Sequence, residues 1–305
     1  MKPLRSIVSI TLFIWVAVNL KGQVKSETLT FETGKTYKVD LRDGSQFIGE
    51  FVMQDSISIV LTNNTIPEIR IPVCHIKKAE EIDVSGIQEG KHWFPNPNST
   101  RYLFSPSAFN LKRGEGYYQN TYLIFNSFNV GLTDHFSVGG GFEILTTFGS
   151  LTSGSFKPIY FITPKVGFPV NNRFSLGGGL MYVSVPIDMY DESGNNRSAF
   201  GAVYGVGTIG NYDKNVTLGL GWGFNEGNLA DKPLITLSGM SRIGRKTALV
   251  TENWFIPGDT YYAMFSYGIR FFGEKLAVDL AFLNNGYIAK ILVIGVPYVD
   301  FVVKF

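Results

Sequence analysis

After residue 22 the sequence has no uncharged apolar run of about 18 residues, the length at which a helix can cross a bilayer. The main body of the chain is therefore not a helical membrane protein. Clusters of basic residues are missing as well, and the formal net charge is only +2. A nucleic-acid partner is not expected, because binding to phosphates requires concentrated positive charge.

Cysteine is almost absent, with Cys74 as its one occurrence. A single cysteine excludes an intramolecular disulfide. It also lies far from any N-terminal processing site, so the sequence does not predict a lipid anchor there.

Histidine is scarce too, and its three positions are His75, His92 and His135. Catalysis by a barrel lipase or protease needs a histidine with a serine or acidic partner near the outer rim. His135 is predicted beside a short turn at the opposite end, and Cys74 and His75 would point apart on a strand. We expect no catalytic residue, no cofactor and no metal site, with a barrel enzyme kept as the second alternative.

The abundant residues indicate a β-protein. Hydrophobic residues make up 45% of the chain, which contains 34 glycines, 25 phenylalanines and 15 tyrosines. At the N-terminus, Lys2 and Arg5 precede an apolar stretch at 7–18, which is too short to span a membrane and is typical of a signal peptide. We predict a signal peptide at 1–22, cleaved near Gly22 and Gln23, and an exported mature chain.

A small β domain is predicted at 23–83. Tight turns at Asp43-Gly44 and Asn63-Asn64 separate short alternating segments between residues 34 and 83. The string LRDGSQFIGEFVMQDSISIVL resembles the first three strands of Sm-like and SH3-like small barrels. Sm proteins bind RNA, but this sequence lacks an evident counterpart of their RNA-binding loop. The resemblance therefore implies a small periplasmic module that contacts a protein partner through residues 34–83, or the barrel mouth.

A linker is predicted at 84–100, where glycine, proline and asparagine accumulate and neither a helical nor a strand period is found. A domain boundary near residue 90 follows. The remainder, residues 101–305, is predicted to be one barrel domain.

Twelve alternating segments follow the linker, an even number as in bacterial single-chain barrels. Short turns, such as those at Thr133-Asp134 and Asn171-Asn172, alternate with longer connections. Outer-membrane barrels have short periplasmic turns and longer external loops, so both barrel ends are predicted to face the periplasm. The predicted segments are 101–110, 118–131, 135–147, 157–168, 173–185, 199–210, 215–225, 233–243, 246–256, 261–272, 275–283 and 292–305.

Each predicted strand separates an apolar face from a small or polar face. In one example Val216, Leu218 and Leu220 alternate with Thr217 and Gly219. A soluble sandwich can show this pattern in single strands, but twelve such strands in series favour a transmembrane antiparallel β-barrel. Three prolines within predicted strands, Pro158, Pro164 and Pro297, indicate bulges or strand ends.

Two glycine triplets, 139–141 and 177–179, lie inside these strands. A phosphate-binding loop is not predicted, because no lysine follows them. They are expected to let the wall bend, or to make room for side chains inside the barrel.

The stretch NPNSTRYLFSPSAFNLKRGEGYYQNTYLIFNSFNVGLTDHFSVGGGFE, residues 96–143, resembles the opening of a group of Gram-negative outer-membrane barrel proteins. Arg101 with its aromatic neighbours, the run 114–118 and the hairpin at 131–133 carry the resemblance. It implies a location and a fold, and no reaction.

Charged residues on the polar parity are expected to face the lumen, since unpaired charges in lipid are costly. They could line a solute path or pair across a narrow lumen. The last strand places Phe301, Val303 and Phe305 on the lipid face, and the terminal aromatic resembles the signal that barrel-assembly machinery recognises. The lumen candidates are Glu143, Lys165, Arg242, Arg270, Asp279, Asp300 and Lys304.

These observations predict an all-β protein: an outer-membrane barrel of about twelve strands preceded by a small Sm-like or SH3-like β domain in the periplasm. The expected partners are outer-membrane lipid and the assembly machinery. The first functional hypothesis is a passive pore for small solutes. The alternative is a membrane scaffold or interaction protein that uses the small domain.

Overall fold

A computed structural model describes residues 31–88, 91–152, 156–187 and 197–305. The predicted signal peptide at 1–22 lies outside these residues. The chain divides into two compact units, Met1–Trp93 and Phe94–Phe305. They are described separately below.

The first unit contains a five-stranded antiparallel sheet in the order β4-β3-β2-β1-β5. Its apolar side holds a compact core of eight buried residues, among them Val39, Phe51 and Leu61. A 3-10 turn, Val73–His75, separates the last two strands. The strands are β1 (Thr36–Leu41), β2 (Gln46–Gln54), β3 (Ser58–Thr62), β4 (Ile69–Pro72) and β5 (Ile76–Glu81).

The predicted turn at Asp43-Gly44 joins β1 to β2. Gly44 has a φ of +90°, and the Asp43 carboxylate accepts the N–H of Ser45 at 2.8 Å. Aspartate followed by glycine suits this turn, because glycine adopts positive φ without strain. Downstream of the sheet, β6 (Ile87–Gln88) and β7 (Lys91–His92) form a two-stranded ribbon within the predicted linker.

The second unit is a closed antiparallel barrel of twelve strands, which confirms the predicted fold class. Closure comes from the last strand pairing with the first, from Asp300 opposite Thr121 to Lys304 opposite Tyr117. A two-residue strand, β15 (Asn228–Leu229), adds to the rim. The wall strands are β8 (Gly116–Thr121), β9 (Phe125–Gly131), β10 (Phe136–Glu143), β11 (Tyr160–Asn171), β12 (Phe174–Pro186), β13 (Arg197–Gly210), β14 (Lys214–Asn225), β16 (Leu234–Gly244), β17 (Thr247–Ile256), β18 (Tyr262–Phe272), β19 (Leu276–Asn284) and β20 (Val296–Lys304).

Two of the predicted segments were wrong, and their errors cancel in the count. Residues 101–110 are not a wall strand, and the single segment predicted at 118–131 is the β8–β9 hairpin. Its turn contains Tyr122 and Leu123 at φ values of 56° and 62°. Positive φ is unusual for such large residues, so the sequence carries no turn signal there.

Other strand ends also differ from the prediction. β10 stops at Glu143, and the helix α1 (Ile144–Thr152) follows where a strand was expected to continue. β20 begins at Val296, because Gly295 has a φ of +96°. Of the three prolines, Pro158 precedes β11 and Pro297 is the second residue of β20. Pro164 lies inside β11, at a gap in its pairing with β12.

The short turns after β9, β11, β13, β16 and β18 lie at one end of the barrel, here named the short-turn end, which also holds Gly116 and Phe305. The longer connections and the tight β8–β9 turn lie at the other, the long-loop end. No described helix is both long and apolar enough to cross a membrane. Outward-facing apolar side chains are exposed all around the wall, for example Phe168 (49%), Leu218 (54%) and Leu280 (49%).

Candidate functional site in the barrel lumen

Residues 94–113 form a hairpin inside the barrel, here named the internal hairpin. Both of its ends lie at the short-turn end. Asn96 donates to the carbonyl oxygen of Tyr212 at 2.9 Å, and the N–H of Arg113 donates to Asp134 at 3.0 Å. Across the tip, the N–H of Tyr102 bonds the carbonyl of Ser105. The segment predicted partly as linker and partly as first strand thus fills the lumen.

Apolar packing holds one side of the internal hairpin. Phe94, Tyr102, Leu103 and Leu111 are at most 4% exposed and join a buried cluster with lumen-facing residues of β8 and of β16 to β20. A 12-stranded barrel is wider than the 8-stranded kind that side chains alone can fill. The hairpin therefore acts as the hydrophobic core of the barrel. The wall residues of the cluster are Tyr117, Met240, Ala248, Val250, Phe272, Ala277, Ala281, Tyr298 and Val302.

Glycines on the lumen face let the hairpin approach the wall. A Cβ on Gly167 would lie 2.4 Å from the carbonyl oxygen of Ala108, and one on Gly177 would lie 3.2 Å from the Ala108 Cα. Any side chain at Gly167 would displace the hairpin. Gly177 belongs to a predicted glycine triplet, which here makes room for the hairpin backbone.

Glu252 holds the tip of the internal hairpin. Its carboxylate accepts the N–H groups of Leu103, Phe104 and Ser105, with nearest N···O distances of 2.8 to 2.9 Å. It also accepts the Ser105 hydroxyl and, at 2.6 Å, the indole N–H of Trp254. A fully hydrogen-bonded carboxylate can remain buried, and Glu252 is only 2% exposed.

Arg270 and Asp279 form a bidentate ion pair at 2.6 and 2.8 Å, and both are 0% exposed. The remaining guanidinium hydrogens donate to the carbonyls of Asn98 and Tyr102 in the hairpin. The pair thus joins two wall strands, β18 and β19, to the hairpin. Its cross-strand register, Arg270 opposite Asp279, follows from the β18–β19 turn.

Asp300 binds the hairpin from a third strand. It forms an ion pair with Arg101 and accepts hydrogen bonds from Gln119 at 2.9 Å and from the Tyr298 hydroxyl at 3.0 Å. The sequence predicts pairing among Arg270, Asp279, Asp300 and Lys304, which come from three consecutive strands. The structure brings the first three together through Arg101, whose role the sequence did not indicate, whereas Lys304 pairs with Glu115.

Two further lumen candidates also bind hairpin carbonyls. Lys165 donates to Thr100 at 3.0 Å and to Phe109 at 2.5 Å, and so ties the two arms of the hairpin together. Arg242 donates to the Phe94 carbonyl at 2.9 Å and pairs with Asp213 at 3.0 Å.

The last two candidates lie at the rims. Glu143 accepts the N–H groups of Leu145 and Thr146 at 2.6 and 2.7 Å, so it caps the N-terminus of α1. Lys304 pairs with Glu115 at 2.9 Å at the short-turn end. Neither residue reaches the internal hairpin network described above.

Sequence reasoning missed Glu252, Arg101 and Tyr102 as parts of this network. Glu252 carries one usable signal, because it is an acidic residue on the lumen parity of a predicted strand. Arg101 and Tyr102 had been assigned to a wall strand. Nothing local in the sequence distinguishes a hairpin inside a lumen from a strand in its wall.

The three histidines lie in separate parts of the structure. His75 is in the 3-10 turn of the first unit, His92 is in β7, and His135 follows β9 at the short-turn end. His135 stacks on Phe168 with ring centroids 5.1 Å apart. Within the described part of the chain, no three His, Cys, Asp or Glu side chains are placed to hold a metal ion.

Comparisons with known proteins find similar structures only. No family model and no curated protein matches the chain. The KdgM porin in complex with disordered oligogalacturonate is 10% identical, covers 62% of this chain and 95% of its own, and gives a TM-score of 0.40. Outer membrane phospholipase A from Escherichia coli is 9% identical, with coverages of 63% and 91% and a TM-score of 0.32.

A loop L8 deletion mutant of OmpT, an outer membrane protein of Vibrio cholerae, is 10% identical, with coverages of 89% and 96% and a TM-score of 0.30. Identities and TM-scores this low assign no activity to this chain.

Proposed function

We propose that this protein is an outer-membrane β-barrel that its internal hairpin keeps closed, and that it acts as a membrane scaffold for its small domain. Support for membrane insertion comes from the wall. Soluble monomers rarely expose continuous apolar patches above a few hundred Å². Here the outward parity of successive strands is apolar and exposed, including Val216, Leu249 and Ile269.

The inserted barrel places its short-turn end in the periplasm under this proposal. Short turns are the periplasmic connections of outer-membrane barrels. Both termini of the barrel unit lie at that end, and the predicted signal peptide supplies export. The small domain precedes Phe94 in the chain, so it belongs on the periplasmic side.

The observation that carries the scaffold proposal is the filling of the lumen by residues 94–113. An open pore needs a continuous water-filled path, whereas Tyr102, Leu103 and Arg270 are at most 2% exposed. Removing the hairpin would expose apolar surface and break the buried Arg270–Asp279 network. The hairpin is therefore a fixed core, which favours the scaffold alternative over the passive pore.

The small domain is proposed to be a Sm-like or SH3-like module that binds a periplasmic protein. Its strand order, β4-β3-β2-β1-β5, and the 3-10 turn before β5 support this assignment. The pairing of β2 with β3 shifts register between Phe51 and Met53, and a Cβ on Gly49 would lie 2.7 Å from the Thr62 carbonyl oxygen. Outer-membrane lipid and the barrel-assembly machinery remain the other proposed partners, and no reaction is proposed.

Conductance in planar bilayers tests the proposal. The purified full chain should insert without producing ion-conducting steps. A variant in which residues 96–111 are replaced by a Gly/Ser linker of equal length should conduct if it still closes into a barrel. Stable conductance by the unmodified protein would overturn the scaffold proposal and restore the passive pore.

A further inference from the structure

The lumen is not filled above the tip of the internal hairpin. Phe104 at the tip is 47% exposed, while its neighbours Leu103 and Ser105 are at most 1% exposed. Met181 and Phe200 have the lumen parity and are 44% and 41% exposed. These side chains face the part of the lumen above the hairpin, which opens at the long-loop end. This space toward the long-loop end is here named the upper cup.

The tallest part of the wall surrounds one side of the upper cup. β11 to β14 have 12 to 14 residues each, against 6 in β8 and 7 in β9. Met181 pairs with Ala202, and Ala202 pairs with Gly223, which places small residues beside Met181 on the lumen face. At the rim, the lumen parity of β12 to β14 carries Val185, Ser198 and Asn225, and the Ser198 hydroxyl donates to Glu226 at 3.1 Å. The lumen-facing positions of these strands between this rim and the hairpin are Phe161, Thr163, Gly179, Met181, Val183, Phe200, Ala202, Tyr204, Gly221 and Gly223.

The chemistry of this set differs from that of the lower lumen. None of its members carries a charge, and its polar groups are the hydroxyls of Thr163 and Tyr204. Lower on the same strands the lumen face carries Lys165, Thr208 and Asn215, and each of them forms a hydrogen bond with the internal hairpin. Apolar surface in contact with water costs about 25 cal/mol per Å². The upper cup therefore favours an apolar occupant.

We propose that the upper cup binds a small, uncharged, apolar or aromatic molecule that rests on Phe104. The inference depends on the membrane-inserted barrel proposed above. The wall formed by β11 to β14 is paired over most of the height of the cup, with a gap between β11 and β12 at Thr163 and Pro164. A charged ligand would find no partner among these ten residues, and Glu143 at the rim is already engaged as the cap of α1. The hairpin blocks exit through the short-turn end.

Equilibrium binding of radiolabelled naphthalene to the full chain in lipid nanodiscs tests the proposal, with protein-free nanodiscs measuring partition into lipid. Two adjacent residues provide a matched pair. Ala202 faces the lumen, whereas Val203 faces outward and is 41% exposed. Ala202→Phe fills the cup and Val203→Phe adds the same ring on the lipid side. Met181→Gln is a second lumen variant that keeps side-chain length and adds polarity.

The expected result is a saturable component in the wild type that Val203→Phe retains and that Ala202→Phe weakens about tenfold or more. Met181→Gln should weaken it too. The proposal is overturned if binding is only linear, as in empty nanodiscs, or if both lumen variants bind like the wild type. If Ala202→Phe does not fold, Met181→Gln decides alone. A conducting barrel that binds saturably would overturn the scaffold proposal and not this one.

Discussion

Glu252 lies 2.9 Å from the main-chain nitrogen of Leu103, and through this contact a wall strand holds the tip of the internal hairpin. The same carboxylate oxygen also accepts the N–H groups of Phe104 and Ser105. Three consecutive N–H groups on one carboxylate form a compact anion site in the backbone. This one acidic side chain therefore fixes the position of the hairpin tip.

Glu252→Gln should loosen the tip by about 1 to 3 kcal/mol, since the amide has one acceptor oxygen and its NH₂ group would face N–H donors. Amide hydrogen exchange at 103–105 should become faster by the factor that corresponds to this loss of free energy. Glu226→Gln is the matched control, because Glu226 is exposed and accepts a hydrogen bond from Ser198. Unchanged protection in Glu252→Gln would show that the apolar cluster alone fixes the tip.

Arg270→Met should destabilise the barrel by about 3 to 5 kcal/mol, because it leaves the carboxylate of Asp279 buried without its partner. The double variant Arg270→Met/Asp279→Leu should regain most of that loss, since no uncompensated charge remains. Urea unfolding in lipid vesicles measures both. A double variant no more stable than the single one would mean that the bonds from Arg270 to the hairpin, and not the ion pair, hold the structure.

Limited proteolysis should cut the folded protein between residues 84 and 93, and not between 94 and 100. Asn96 and Asn98 are at most 4% exposed inside the lumen, and a protease needs an accessible, unpaired backbone. Mass spectrometry of the fragments locates the cut. Cleavage within 94–100 would show that the hairpin leaves the lumen, which contradicts the proposed closed barrel.

The small domain should lose stability in acid through Asp55. Hydrogen bonds from the N–H groups of Ile57 and Ser58 lower the pKa of Asp55. Because the folded pKa is the lower one, this stabilisation is present above the unfolded value of about 3.9 and is lost as the pH falls through the folded pKa. Exchange protection at 57–58, corrected for intrinsic rates, should fall over that range. Asp55→Asn should flatten the profile, and Glu68→Gln should not.

The sequence predicts the wall of the barrel well, because alternation with a period of two is a local signal. The parity of Leu218, Leu280 and Val303 matches the exposed outer face of the structure. The internal hairpin is different. Tyr102, Leu103 and Phe109 look like wall residues, and their burial depends on contacts with residues more than 100 positions away in the chain.

The candidate site was predictable only in part, for the same reason. A charge on the lumen parity, such as Arg270 or Asp300, is visible in the sequence. Its partner is not, because Arg101 contacts Asp300 across 199 positions of the chain. The tight turn at Tyr122 and Leu123 was missed because neither residue is a usual turn former.

The final strand provides the last prediction, which compares two neighbouring residues on opposite faces. Phe305 is 60% exposed, and its main chain pairs with Gly116 where the barrel closes. Lys304 instead faces inward and pairs with Glu115 at the rim.

Phe305→Glu should strongly reduce the amount of folded protein in the outer membrane, because it places a charge on the lipid face and removes the terminal aromatic. Lys304→Gln should have little effect, since exposed ion pairs contribute at most about 1 kcal/mol. Membrane fractionation combined with heat-dependent gel mobility measures both variants. Equal levels of the two would show that the face assignment of β20 is wrong.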